Sequence, residues 1–346
     1  MKITHAIKKV VEGNDLTVDE SSRVLEAIMS GECTEAQIAS LLTALRMKGE
    51  TVDELTGFAR VMRGKATQVR PASIAAASGA QALLDTCGTG GDMSGTFNVS
   101  TAAAFVVAGA GVRVAKHGNR SASSRCGSTD VIEALGVRVE ITPEQMADSI
   151  DAIGIGFLHA PLLHTAMRHV AETRKQMGVR TVFNTLGPLT NPAGASAQLI
   201  GVGAAHLTEI VAEVLRNLGT DRAIVVHGSD GMDEITTTAT TRVTELFQGE
   251  IRTYFISPGE YGLPLATSDD LRGADTAPEN ADLILRILRG EPGPRRDIVL
   301  LNAAAGLLAA SRAADLREGI DAARKSIDSG AALSRLKALI EFTNSV

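Results

Sequence analysis

The feature that most constrains this chain is a pair of glycine-rich loops, each set between a short apolar stretch and a helical one. The first reads Asp85-Thr86-Cys87-Gly88-Thr89-Gly90-Gly91-Asp92 and continues to Thr96-Phe97-Asn98-Val99-Ser100-Thr101. The second reads Lys116-His117-Gly118-Asn119-Arg120-Ser121-Ala122-Ser123-Ser124, then Gly127-Ser128-Thr129-Asp130. A glycine-rich strand-to-helix turn offers backbone N–H groups and a helix N-terminus to an anion. Two in succession, one neutral and one basic, point to a ligand with phosphate at both ends. Open α/β sheets bind ligands at the carboxyl ends of their strands, so both loops belong on one edge of a sheet.

The flanking pattern supports such a sheet. Strands are expected at Leu83–Asp85, Val112–Ala115, Val137–Val139, Gly156–Leu158, Gln198–Val202 and Ala223–His227. Helical stretches alternate with them: Val99–Gly109, Asp130–Leu135, a capped helix opening at Thr142-Pro143-Glu144-Gln145, and Leu207–Leu218. Alternation of this kind implies a mostly parallel sheet covered by helices. Arg242–Leu246 and Ile251–Ile256 are expected to form a hairpin around Gln248-Gly249, and Glu279–Arg289, Asp297–Ser311, Leu316–Ser329 and Ala331–Thr343 to be helices. Residues 1–65 differ, reading as helices only. Thr17 with Glu20, Thr34 with Gln37 and Thr51 with Glu54 form capping boxes, and Gly31, Gly49 and Gly64 stand at the expected helix ends. Such short helices must pack on one another or on a partner. Residues 160–178 interrupt the alternation with a basic helix containing Arg168, Arg174 and Lys175.

Composition removes several classes of function. At 346 residues, 44% hydrophobic and 21% charged, the chain is an ordinary globular one with room for one or two domains. A formal charge of -6 argues against nonspecific nucleic-acid binding. Cys33, Cys87 and Cys126 lie far apart, which suits a reducing compartment. No apolar signal core or membrane span is evident, so a cytoplasmic location is expected.

Three more groups of residues bear on chemistry. Asn98, Ser100 and Thr101 can cap the following helix or turn toward a phosphate or metal. Lys116, His117 and Arg120, beside Asn119 and the hydroxyls of Ser121, Ser123, Ser124 and Ser128, suit a polyphosphate. His227-Gly228-Ser229-Asp230-Gly231-Met232-Asp233-Glu234 follows a strand, and its adjacent Asp233 and Glu234 suit Mg²⁺. Read alone, that acidic turn is exposed. Lys175 and Arg180 read as cations at a helix C-terminus, whereas Arg174 can face a cleft. There is no zinc spacing and no serine-hydrolase elbow.

With these residues in view, the chain resembles the anthranilate phosphoribosyltransferase family of tryptophan biosynthesis. The matching pieces are Gly88–Asp92, Asn98–Thr101, Lys116–Arg120, Gly127–Asp130, Arg180-Thr181-Val182-Phe183-Asn184-Thr185-Leu186-Gly187-Pro188-Leu189-Thr190-Asn191-Pro192 and His227–Glu234, in family order. The resemblance implies a pentosyltransferase that moves phosphoribose from phosphoribosyl pyrophosphate (PRPP) to the amine of anthranilate with Mg²⁺. It implies an α/β fold with a small all-helical domain and a larger α/β domain around a mostly parallel sheet. The helical domain would take residues 1–70 joined by 160–190, and the α/β domain 71–159 and 191–346. A homodimer through the helical domain is expected, with no nucleic acid and no membrane as partner.

Carried over by motif, Gly88, Gly91, Asp92, Thr96, Asn98, Val99, Ser100, Thr101, Lys116, His117, Gly118, Asn119, Arg120, Ser121, Ala122, Ser123, Ser124 and Ser128 would hold PRPP. Gly88, Asn119 and Arg174 would contact anthranilate, and Ser100, Asp233 and Glu234 would serve the metal. Three positions depart from the family pattern: Thr165 where proline is common, Thr129 where alanine is common, and His159 where many members carry an aromatic. No acid or base is assigned, because the amine of anthranilate is neutral at pH 7. Two rivals remain open. A pyrimidine nucleoside phosphorylase would bind free phosphate in the glycine loop without Mg²⁺-pyrophosphate. A noncatalytic nucleic-acid-binding relative should be basic with eroded motifs.

Overall fold

The computed structural model describes residues 1–75, 82–92, 94–120 and 126–346. Four helices open the chain: α1 Ile3–Val11, α2 Val18–Met29, α3 Glu35–Lys48 and α4 Val52–Lys65. The three expected capping boxes form at α2, α3 and α4. Glu54 does more than cap. Its buried carboxylate accepts from the Thr51 N–H at 2.9 Å, from the Leu16 N–H at 3.0 Å and from Lys48 Nζ at 3.0 Å. One side chain thus ties the start of α4 to the α1–α2 connection. Gly49 ends α3 with a φ of 88°. Gly64 does not end α4, which runs one residue past it to Lys65. A short α5, Ala72–Ala75, follows.

Among the described residues seven strands form one sheet, in the order β3-β2-β1-β4-β5-β6-β7. They are β1 Leu83–Gly88, β2 Arg113–Gly118, β3 Ile155–His159, β4 Ala197–Gly201, β5 Arg222–Gly228, β6 Thr241–Phe247 and β7 Glu250–Ile256. The first five run parallel, and β6 and β7 add antiparallel. The β6–β7 turn places Gln248 at φ 52° and Gly249 at φ 83°, the two left-handed positions of a type I′ hairpin. Val137–Val139 is not a strand. Its valines are buried but join the helical face of the core, so its apolar character reflects burial and not pairing.

Helices α6 Val99–Gly109, α7 Ser128–Ala134 and α8 Pro143–Ile153 lie between the first strands. The interrupted segment resolves into α9 Ala160–Leu163, a 3₁₀ turn Thr165–Met167, α10 Arg168–Met177 and α11 Val182–Leu186. Then come α12 Leu207–Asn217, α13 Ala277–Leu288, α14 Pro294–Ala309, α15 Leu316–Asp328 and α16 Ala331–Ser345. One large core packs α6 and α14 on a sheet face, and α6 is buried on nearly every side. A second cluster joins α1–α4 to Val170, Val182, Phe183 and Leu186, then continues through Val211 and Leu215 of α12 to Ile200 and Val225 of the sheet. The molecule is therefore a small N-terminal helical domain on a larger α/β domain, with continuous apolar packing between them. The segment after α4 is tied to the segment around α9–α11 by hydrogen bonds. There Thr67 N donates to Leu163 O at 2.8 Å, Val69 N to Pro192 O at 3.1 Å and Arg63 Nε to Leu189 O at 2.7 Å.

Candidate active site

Strands β1 and β2 pair only at Leu83–Arg113 and Leu84–Val114. Beyond that point β1 stays paired to β4 as far as Gly88, and β2 to β3 as far as Gly118. The sheet therefore opens between β1 and β2 at their carboxyl ends, where the two glycine loops emerge. Side chains bridge the gap. Asp85 Oδ1 accepts from the His117 N–H at 3.1 Å, and Lys116 Nζ donates to Thr86 O at 2.6 Å and Ser100 Oγ at 3.3 Å. Asn191 Nδ2 donates to Ala115 O at 2.8 Å. Burial pushes the Lys116 pKa down, against the pull of Asp85 and Glu234. Burial likewise raises the Asp85 pKa, opposed by Asn191 and Lys116.

The first loop is held from both sides. Thr89 N donates to Gly201 O at 2.9 Å, and Gly203 N donates to Thr89 Oγ1 at 3.2 Å. Gly90 N donates to Asp233 Oδ2 at 2.7 Å. Gly90 and Gly91 take φ values of 65° and 74°. Any Cβ on Gly88 would overlap the Asp233 carboxylate, and one on Gly91 would overlap the Arg180 guanidinium. The loop is glycine because side chains from distant segments occupy the space beside it.

The acidic turn after β5 is not an exposed one. Asp233 and Glu234 are half-buried and face the glycine loop and the start of α6. Glu234 Oε1 accepts from the Ser100 N–H at 3.1 Å, filling a role that Asn98 leaves open. Asn98 is the N-cap residue, but its amide donates instead to Cys126 O at 3.3 Å. Asp92 Oδ2 accepts from the Asp233 N–H at 3.4 Å. Burial, then the neighbouring Asp92 carboxylate, push the Asp233 pKa up to about 7. Burial and Asp233 push Glu234 well above the carboxylate range. The Asp233 side chain also meets the Asp92 carboxyl, so acidic groups gather beside the glycine loop. No three ligating side chains converge on one point among the described residues. Mg²⁺ fits that arrangement, since it binds through one or two carboxylates and fills its remaining positions with water and phosphate.

The basic loop divides. His117 and Gly118 stay with the cleft. The His117 and His164 Nε2 atoms lie 3.2 Å apart in a buried pair. Burial, then His164, push the His117 pKa down to about 3, and burial pushes His164 down to about 4. Burial thus favours the neutral form of both rings, which suits a hydrogen bond between them. Gly118 leaves no room for a Cβ against Phe157 and Ser128. Asn119 O accepts from the Thr129 N–H at 3.2 Å and from Ser128 Oγ at 3.3 Å. Arg120 pairs with Asp130 at 3.0 Å in the first turn of α7 and with the exposed Glu133 at 2.6 Å near its end. Ser121, Ala122, Ser123 and Ser124 lie outside the described residues.

Val99 and Thr101 are fully buried side chains of the α6 core, which leaves only the backbone there to face a ligand. Thr96 sits at the loop rim, bonded through Ser94 and bridged to Arg272. Arg174 lies in the last turn of α10, half-buried, its guanidinium 5.2 Å from the centre of the Phe183 ring and without an acceptor among the described residues. Sequence reasoning missed four participants: Asp85, His164, Arg180 and Asn191. Asp85 had a signal, as an acid within an otherwise apolar strand. Arg180 and Asn191 stood in the run that carries the family resemblance, but their contacts, like that of His164, are made across the fold and no local pattern assigned them.

Comparison with known proteins bears on this site. The glycosyl transferase family helical bundle domain matches residues 4–66, and the glycosyl transferase family a/b domain matches residues 80–333. An anthranilate phosphoribosyltransferase of Pelotomaculum thermopropionicum is 54% identical over 344 residues, 99% of this chain and 97% of that protein. The chain belongs to the anthranilate phosphoribosyltransferase family. The family's enzyme from Acetivibrio thermocellus is 52% identical over 98% of this chain and 96% of its own length. The crystal structure of the Thermus thermophilus family member superposes with a TM-score of 0.90 at 45% identity, covering 98% of this chain and 99% of that one. The Saccharomyces cerevisiae family member in complex with PRPP and Mg superposes at 0.89 with 28% identity, covering 99% and 98%. Thr129 Oγ1 and His159 Nδ1 lie 3.2 Å apart and buried. Thr165 opens the 3₁₀ turn after His164.

Proposed function

We propose that this chain transfers phosphoribose from PRPP to the anthranilate amine in tryptophan biosynthesis, at the cleft between β1 and β2. The observation that carries the reading is the junction of Gly90, Ser100, Asp233 and Glu234, where loop N–H groups, a helix start and two carboxylates meet. In this reading the loop at Gly88, Gly91 and Asp92, the α6 start and the β2 loop hold PRPP. Ser100, Asp233 and Glu234 hold Mg²⁺. Bound there, Mg²⁺ neutralises charge on the departing pyrophosphate. Lys116 is bonded to the Thr86 carbonyl and the Ser100 hydroxyl, so it fixes the shape of the loop and contributes positive potential from beneath.

Departure of pyrophosphate leaves an oxocarbenium-like ribose, as in glycoside cleavage. Orientation of the neutral amine toward the anomeric carbon then supplies much of the rate, and no side chain need remove a proton first. Arg174, which has no hydrogen-bond acceptor among the described residues, is the group we assign to the anthranilate carboxylate, with Gly88 and Asn119 beside the ring. The helical domain comprises residues 1–70 joined by 160–190, consistent with their shared core. The active form is a homodimer of the cytoplasm joined through that domain. The test is loss of anthranilate fluorescence on adding PRPP and Mg²⁺. Consumption that needs all three components supports the assignment, and its absence in folded protein overturns it.

A further inference from the structure

Arg180 stands apart from the groups the motifs assign. It lies between α10 and α11, and its neighbours belong to the helical side. Val182 and Phe183 are in the core shared with α1–α4, and Thr181 N is bonded to Asn184 Oδ1 at 2.9 Å. Its guanidinium crosses to the other domain, donating to Thr89 O at 3.3 Å and filling the space beside Gly91. Thr89, Gly90 and Gly91 are thus gripped in succession by Arg180, Asp233 and Arg180. Asp233 and Asp92 attract this cation, while Arg46 repels it. A helix C-terminal cation would show none of this.

We infer that Arg180 is a positioning residue for PRPP, a strut from the helical domain that holds the glycine loop in its phosphate-receiving shape. The inference rests on the reading above. It adds that the loop's shape depends on the helical domain being in place. A planar guanidinium suits the task, because it can bond a carbonyl at one edge while its face lies flat against a glycine backbone. Lysine has the charge without that shape.

The test uses Arg180→Gln and Arg180→Lys in the full chain, with PRPP binding measured by calorimetry in Mg²⁺ and anthranilate binding by its fluorescence. Loss of a charge-assisted bond predicts PRPP binding about tenfold weaker in Arg180→Gln. Anthranilate binding should stay within about twofold, the scatter expected of a site that loses no contact. Arg180→Lys should recover only part of the PRPP affinity. Unchanged PRPP affinity in either folded variant overturns the inference, as does equal weakening of both ligands, which would mark a general scaffold residue. Should Arg180→Gln fail to fold, Arg180→Lys alone decides, by weakened or unchanged PRPP binding. Absence of PRPP binding in the unaltered protein would instead defeat the functional reading.

Discussion

At the scale of single residues, the cleft is built from charges and rings placed where water is scarce. The His117–His164 pair gives a stability signature. Both folded-state values, about 3 and about 4, lie below the ordinary 6.5. As pH falls, the unfolded chain therefore takes up protons that the folded rings refuse. The pair's contribution is full above pH 6.5 and is lost as pH falls toward 4. At pH 5 the penalty is at most about 2 kcal/mol per histidine. Melting curves of the protein and of His164→Gln should show a shallower acid decline in the variant. Equal declines between pH 7 and 5 would mean that the His164 ring is not held neutral in the folded protein. Arg174 makes a second prediction at this scale. Arg174→Ala should raise the KM for anthranilate about tenfold or more, the worth of a paired charge-assisted bond. PRPP affinity should stay put. Equal loss of both would make Arg174 structural, a support for Phe183.

At the scale of elements, what could be read from the sequence follows from how local each signal is. The capping boxes at Thr17, Thr34, Thr51 and Thr142 need only residues three apart, and all four form. The β6–β7 hairpin was legible because Gln248-Gly249 supplies a turn between two apolar runs. Val137–Val139 was misread, since a short apolar run looks alike whether it pairs with a strand or lines a core. The glycine loops were legible as phosphate cradles, yet the reasons for particular glycines were not. Gly88 and Gly91 are dictated by Asp233 and Arg180, far along the chain. For the same reason the acidic turn read as exposed, although β5 carries it against the loop after β1. The pairing of Arg120 with Asp130 and Glu133 on α7 had no local signal in the basic loop itself.

At the scale of the whole molecule, the helical domain is fastened to the sheet through α12, so its apolar side chains divide into two sets. Leu41 and Leu45 are 1% and 0% exposed and belong to the internal core. A charge there would unfold the protein and say nothing of assembly. Met47 and Val11, at 83% and 69% exposed, are the candidates for a subunit contact. Met47→Glu should keep the melting temperature of an isolated subunit and shift the protein from dimer to monomer on sizing. A dimer unchanged by that substitution, or an unaltered protein that is already monomeric, would contradict the assignment.

The central claim is that the cleft between the parted strands takes PRPP together with Mg²⁺ through Asp233 and Glu234. Asp233→Asn with Glu234→Gln leaves each side chain an oxygen to accept the Gly90 and Ser100 N–H groups, so the fold should persist. Calorimetric titration of PRPP, with and without Mg²⁺, then tests the claim most directly. The unaltered protein should bind PRPP more tightly when Mg²⁺ is present, and the double variant should lose that gain while binding metal-free PRPP about as well. An identical Mg²⁺ effect in both proteins would contradict the account.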